Sequence, residues 1–243
     1  MRRFCFDRVG RAWVAVAIGL VLAACETLEQ AGMKLPNALA QEERQPVTGR
    51  QGWKLDQQLR FADIEVLEVQ RGITKGGDLR ILEYDQSRRK QLYSFVLFDQ
   101  QGQEWIGDCE AFLRRRQLTF EVGIELQNRS MLGARFSRQG GSADVWELRL
   151  KESGDKPLQG TLVSGSRQLE VSGTRALAGS PLPLDETTGY VISLGGEALA
   201  AAEVINDGAV WVSSTLDDEL KGPVSSCLAA LLLFEELRVT LDE

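Results

Sequence analysis

No histidine occurs anywhere in the 243-residue chain. Its absence excludes Ser/His/Asp and Cys/His nucleophile systems, the usual histidine-ligated zinc sites and histidine pH switching. Cysteine is scarce, with four residues at Cys5, Cys25, Cys109 and Cys227. Long hydrophobic runs are also missing. The longest apolar or small-residue stretch, Ala12 to Ala24, is short for a spanning helix, which needs about 20 apolar residues to cross roughly 30 Å of hydrocarbon.

That stretch has a specific surrounding. Arg2, Arg3, Arg8 and Arg11 precede it, and Leu22, Ala23, Ala24 and Cys25 end it, which is the layout of a cleaved secretory signal. Leu22, Ala23, Ala24 and Cys25 resemble the lipobox of bacterial lipoproteins: an aliphatic residue, two small residues that let the signal peptidase approach the backbone, and the cysteine that becomes the new N-terminus. The resemblance implies cleavage before Cys25, diacylglycerol on its thiol, and stable anchoring by several acyl chains at about 0.8 kcal/mol per buried methylene. Glu26 rather than Asp after the cysteine resembles the outer-membrane sorting choice of Gram-negative lipoproteins. The expected address is therefore the cell envelope, at the outer membrane facing the periplasm.

Removing Arg2, Arg3, Arg8, Arg11 and Asp7 from 28 basic and 35 acidic side chains leaves 24 and 34, a net charge of −10 for the mature chain. Such a chain gains nothing from a phosphate polyanion, so nucleic acid is not an expected partner, and an anionic bilayer surface would repel it. With Cys5 lost and Cys25 acylated, Cys109 and Cys227 are the remaining thiols. In an oxidising compartment they can form a disulfide, or stand as two separately buried thiols behaving as small hydrophobes. Spacing alone does not choose between these.

Three segments follow from the pattern: a signal peptide over 1–24, a lipidated N-terminus and flexible tether over 25–52, and a single β-rich domain over 53–243. The tether reading rests on the polar, aperiodic stretch around Gln41, Glu42, Glu43, Arg44, Gln45 and Pro46. Fully extended, it would let the domain stand roughly 90 Å from the membrane at about 3.3 Å per residue.

Beyond Trp53, short apolar or alternating runs are separated by turn residues. The predicted strands are Leu59–Val69, Leu79–Tyr84, Gln91–Phe98, Glu104–Phe112, Leu118–Leu126, Leu132–Arg138, Val145–Leu150, Leu158–Ser164, Arg167–Ser172, Gly189–Leu194, Glu197–Ile205 and Ala209–Ser213. Gly76–Gly77, Gly140–Gly141, Gly195–Gly196 and Asn206–Gly208 provide the positive φ of tight hairpins. At the C-terminus, Gly222 and Pro223 suit a helix start. Val224–Leu237 then contains Cys227, Leu228, Ala229, Ala230, Leu231, Leu232, Leu233 and Phe234 without a polar interruption. A helix apolar all round must be surrounded by protein or by lipid, so Leu228, Leu231, Leu232 and Phe234 are expected as core.

About twelve strands and one such helix predict a mainly β fold: an antiparallel barrel around a buried hydrophobic C-terminal helix, with a β-sandwich carrying a packed terminal helix as the alternative. An eight-stranded barrel is filled by its own side chains, whereas a helix of about 10 to 12 Å diameter needs a wider wall. The hairpin YSFVLFDQQGQEW (Tyr93–Trp105), the hairpins GYVISLGGEALAAAEVINDGAVW (Gly189–Trp211) and the closing PVSSCLAALLLFEEL resemble the tubby-like superfamily, which includes the phospholipid scramblases. That resemblance implies a twelve-stranded barrel around a hydrophobic C-terminal helix.

Candidate chemistry is thin. Ser153, Gly154, Asp155 and Lys156 fit the S-x-x-K pattern of penicillin-recognising enzymes, but lie in a predicted hairpin turn without the accompanying S-D-N or K-T-G. Asp217, Asp218 and Glu219 offer carboxylates to a cation or to acid/base work, yet lack the spaced oxygens of a calcium loop and read as a solvated segment. Ser87–Lys90 and Arg114–Arg116 are cationic runs that read as solvated strand ends. No catalytic residue, metal ligand or cofactor is therefore expected. The predicted function is a non-enzymatic interaction or structural module that meets the membrane through the lipid on Cys25 and an envelope protein through its folded part. The alternatives are a lipid- or small-ligand-binding barrel and an Asp/Glu-based envelope enzyme.

Overall fold

The computed structural model describes residues 31–50, 57–73, 75–81, 84–99, 101–119, 123–125, 129–140, 145–154 and 156–242. The strands are β1 (Gln45–Pro46), β2 (Leu59–Phe61), β3 (Ile64–Arg71), β4 (Lys75–Ile81), β5 (Tyr84–Phe98), β6 (Glu104–Thr119) and β7 (Gly123–Glu125). After them come β8 (Arg129–Arg138), β9 (Val145–Ser153), β10 (Lys156–Ser164), β11 (Arg167–Thr174), β12 (Gly189–Leu194), β13 (Glu197–Glu203) and β14 (Ala209–Val212). One helix, α1 (Asp218–Asp242), ends the chain.

All strand pairs are antiparallel, in the order β1-β14-β13-β12-β11-β10-β9-β8-β6-β5-β3-β2. The two ends of this series meet where Thr48 N–H donates to Arg60 O at 2.8 Å and Arg60 N–H donates to Thr48 O at 3.0 Å. One bridge thus nearly closes a twelve-stranded barrel, and a continuous wall replaces the sandwich alternative. β4 and β7 lie off the circuit, pairing with the parts of β5 and β6 that run past the rim.

Where one face of a strand meets solvent, the sequence alternates. In β9, Trp146, Leu148 and Leu150 are buried while Glu147, Arg149 and Lys151 are exposed. The predicted strand Leu59–Val69 is two strands, because Ala62 turns the chain with φ +50° between β2 and β3. The predicted Leu118–Leu126 strand divides between the end of β6 and β7. The Gly195–Gly196 hairpin has φ of +59° and +86°, a turn for which glycine carries no steric cost.

The helix begins at Asp218, four residues before the predicted Gly222–Pro223 start. Asp217 Oδ1 accepts the Glu219 N–H at 3.2 Å, and Asp218 and Glu219 occupy the first turn, where the dipole favours acids. Gly222 is required for packing: a Cβ there would fall 2.3 Å from the Trp105 ring. Val224 and every residue from Cys227 to Phe234 are fully buried, and α1 packs against β6, β8 and β13.

The expected flexible tether over 25–52 is corrected in its described part. From Gly32 the chain belongs to the same compact unit as the barrel. Met33 bridges Leu177, a 3-10 turn at Asn37–Leu39 lies on β13, and the chain returns as β1. Met33 and Leu39 are buried against Ala198, Ala201, Ala209 and Trp211 in a second apolar cluster outside the barrel core. The segment buries few apolar side chains: Met33 and Leu39 in this second cluster, with Leu35 packed against it, and Val47 in the main core. The domain accordingly starts near Gly32 rather than at Trp53.

Candidate functional site

Two environments bring chemically distinctive side chains together: an open groove on the outer wall and a polar cluster just inside it.

The groove spans β3, β5, β6 and β8 and encloses about 730 Å³. Strand register sets its outward rows. Lys90, Phe112 and Met131 face one another across three strands, as do Leu92, Glu110 and Gly133, and then Ser94, Asp108 and Arg135. Gly133 projects no side chain and nothing stands within 4 Å of where a Cβ would be, so the middle row is hollow. Leu92 and Met131 are about half exposed and line the same groove, where together with Phe112 they make an apolar patch. Lys90 Nζ lies 2.8 Å from Glu110 Oε1, and because both are exposed the pair orients side chains more than it stabilises. A β-bulge between Leu67 and Gln70, with Glu68 at φ +51°, bends β3 so that Gln70, Arg71 and Gly72 form one wall.

Tyr93 and Cys109, opposite each other on β5 and β6, point inward at the groove floor. The Tyr93 hydroxyl donates to the Ala230 carbonyl of α1 at 2.8 Å, a direct polar link from wall to helix. Burial pushes the Tyr93 phenol well above its ordinary range, with Cys109 beside it adding to the rise. Burial likewise pushes the Cys109 and Cys227 thiols up, and the Tyr93 hydrogen bond offsets only part of this for Cys109. All three are thus held neutral. Cys109 and Cys227 are both buried free thiols in the structure. Arg71 Nη2 donates to buried Gln57 at 2.8 Å, and Gln91 donates to Gly72 O at 3.2 Å.

Other predicted positions separate. Ser153 and Lys156 pair across the β9–β10 hairpin, with Gly154 at φ +61°, a turn rather than a nucleophile at a helix start. Asp217 to Glu219 are all exposed, Asp217 leading into α1 as its cap and Asp218 and Glu219 forming its first turn. Arg88 pairs with Arg114 and Arg89 with Leu113 where β5 and β6 leave the rim. Glu235, buried and seven residues before the end of α1, accepts the Tyr190 hydroxyl in the interior. Leu22, Ala23, Ala24 and Cys25 lie outside the described residues. Among the described residues no group of His, Cys, Asp or Glu is placed to hold a metal, and no helix is long and apolar enough to cross a membrane.

The groove was not legible beforehand, because Leu92, Phe112 and Met131 are far apart in sequence and join only through register. The one available signal was the out-of-phase apolar residue Leu92, beside inward Tyr93.

Comparison of the chain with protein-family models, with curated proteins and with solved structures gives no match.

Proposed function

We propose that this chain is a lipid-anchored envelope protein whose barrel acts as a non-enzymatic interaction or structural module, filled by α1 and contacting an envelope protein through the outer-wall groove. The observation that carries the reading is the combination of a fully buried run from Cys227 to Phe234 with a half-exposed apolar groove on the outside. A core occupied by leucines leaves a lipocalin-like ligand no interior, whereas Leu92, Phe112 and Met131 offer an apolar centre with a charged rim, the composition of a protein contact. The neutral phenol and thiols behind the groove are poor nucleophiles, since the thiolate is the reactive form. Placing α1 as the central plug is also what the tubby-like resemblance implies, and the lipobox supplies the anchor and the outer-membrane address.

The test uses the full chain in intact envelopes. Cys25→Ser should abolish palmitate labelling and membrane fractionation. A photo-crosslinker at Leu92 or Met131 should trap one discrete protein adduct, while the same group at exposed Glu170 on β11 should not. Palmitate incorporation persisting in Cys25→Ser would refute the anchor, and identical adduct patterns at all three positions would refute the groove.

A further inference from the structure

We infer that the barrel rim carrying Ile73, Leu182 and Leu184 rests on the lipid bilayer itself, a contact that builds on the proposed anchor at Cys25.

Antiparallel order assigns every loop to one of two rims. The connections after β3, β9, β11 and β13 share one rim, from which the paired β4–β7 extension also projects, and the hairpins after β10 and β12 lie at the other. The two most exposed large apolar side chains of the described residues, Ile73 at 89% and Leu182 at 73%, both fall on the first rim. Leu184, 39% exposed, joins them, while among the described residues the other rim carries Leu194 alone, 47% exposed. Ile73 follows β3 and Leu182 follows β11, strands on opposite sides of the circuit, so the apolar residues straddle the rim instead of forming one wall patch.

The loop presenting the leucines is held in shape. Ser180 Oγ accepts the Leu182 N–H at 3.2 Å and donates to Leu182 O at 2.9 Å, and Leu184 N–H donates to Arg175 O at 2.9 Å. These local bonds fix Leu182 outward between Pro181 and Pro183, where rotation of the loop would otherwise hide it. A rigid display of leucine has no internal partner to satisfy and gains only by leaving water.

The position of the anchor selects the occupant. Ala178 N–H donates to Gly32 O at 2.8 Å, and Lys34 N–H donates to Ala176 O at 2.9 Å, so the compact unit starts on this same loop. Seven residue steps separate Cys25 from Gly32, a reach of at most about 25 Å at 3.3 to 3.6 Å per residue. That is far below the roughly 90 Å expected of a tether running to Gly52, and it confines the rim to the neighbourhood of the membrane surface. Attachment makes insertion of a few side chains effectively intramolecular, so apolar contact too weak to recruit the protein alone suffices once the lipid holds it. Because the mature chain is acidic, this contact relies on apolar insertion rather than on attraction to anionic headgroups.

The experiment uses the full-length protein purified from membranes and reconstituted into phosphatidylethanolamine/phosphatidylglycerol vesicles. An environment-sensitive fluorophore is attached through Ile73→Cys, Leu182→Cys or, at the opposite rim, Ser166→Cys; native Cys109 and Cys227 are buried. Expected is a blue-shifted emission, quenched by a lipid carrying a nitroxide near the headgroup, at positions 73 and 182 and neither at 166. Palmitate labelling of each variant separates the outcomes. Labelled protein with unquenched probes at 73 and 182 would overturn this inference and leave the anchor standing, whereas absence of palmitate would remove both. A blue shift without nitroxide quenching would assign the rim to a protein partner and likewise overturn it.

Discussion

β9 and β13 are strands of one wall with opposite lessons. β9 buries every second residue, Trp146, Leu148 and Leu150, because its outer face meets water. β13 buries six residues in succession, Ala198 to Glu203. Ala200 and Ala202 belong to the main core, and Ala198 and Ala201 lie beneath Met33 and Leu39. A bulge between Ile192 and Ser193 in the β12–β13 pairing places Leu199 inward beside Ala200 and disturbs the alternation further. The alanine-rich composition of β13, intrinsically better suited to a helix, is thus the composition of a strand covered on both sides at close range. The difference teaches that the N-terminal segment is part of the wall on the β13 side.

The sharpest way to break this comparison is to delete residues 31–52. The deletion removes β1, the Thr48–Arg60 bridge and the cover of β13, and should abolish cooperative melting in the purified protein. A truncated chain melting at the parent temperature would show that the segment is dispensable. Leu39→Ala, which empties a fully buried site under the segment, should cost about 2 to 5 kcal/mol in denaturant unfolding. Met131→Ala on the bare side should stay within about 0.5 kcal/mol, and equal costs would erase the distinction.

Smaller effects sharpen the picture. Gly222→Ala should destabilise by about 1 to 3 kcal/mol, since its methyl meets the Trp105 indole, and Trp105→Leu should rescue part of the loss. Glu203 is buried at the end of β13, accepting the Met33 N–H at 2.7 Å and lying 3.6 Å from Arg44. Glu203→Gln keeps an acceptor for the Met33 N–H but removes the charge, so it should lose about 1 kcal/mol, the difference between a charged and a neutral hydrogen bond, and equilibrium unfolding reads it directly.

The smallest effect is a slope in alkali. Cys109 and Cys227 keep their protons in the folded chain, whereas an unfolded thiol ionises near about pH 8.5. Above that pH the unfolded state binds fewer protons than the native state, so stability should fall as pH rises and should be fully present below it. The double variant Cys109→Ala, Cys227→Ala should flatten this slope in denaturant titrations at successive pH values. An unchanged slope would assign the loss to other groups.

Local pattern alone determined much of this protein. Alternation in β9 and β11, the glycine turns and the uninterrupted apolar run before Glu235 specify antiparallel strands and a helix that must be buried, because these signals repeat within a few residues. Tertiary structure decided what depends on distant partners: which polar stretch becomes the closing strand, the start of α1 at Asp218, and the groove assembled from β3, β5, β6 and β8. A segment such as Gly32–Arg50 carries too few buried apolar side chains to mark a period, and the burial of Met33 and Leu39 is decided by alanines roughly 160 residues away. Strand register likewise exists only between segments, which is why Leu92 and Met131 form one surface in the folded chain and two isolated residues in the sequence.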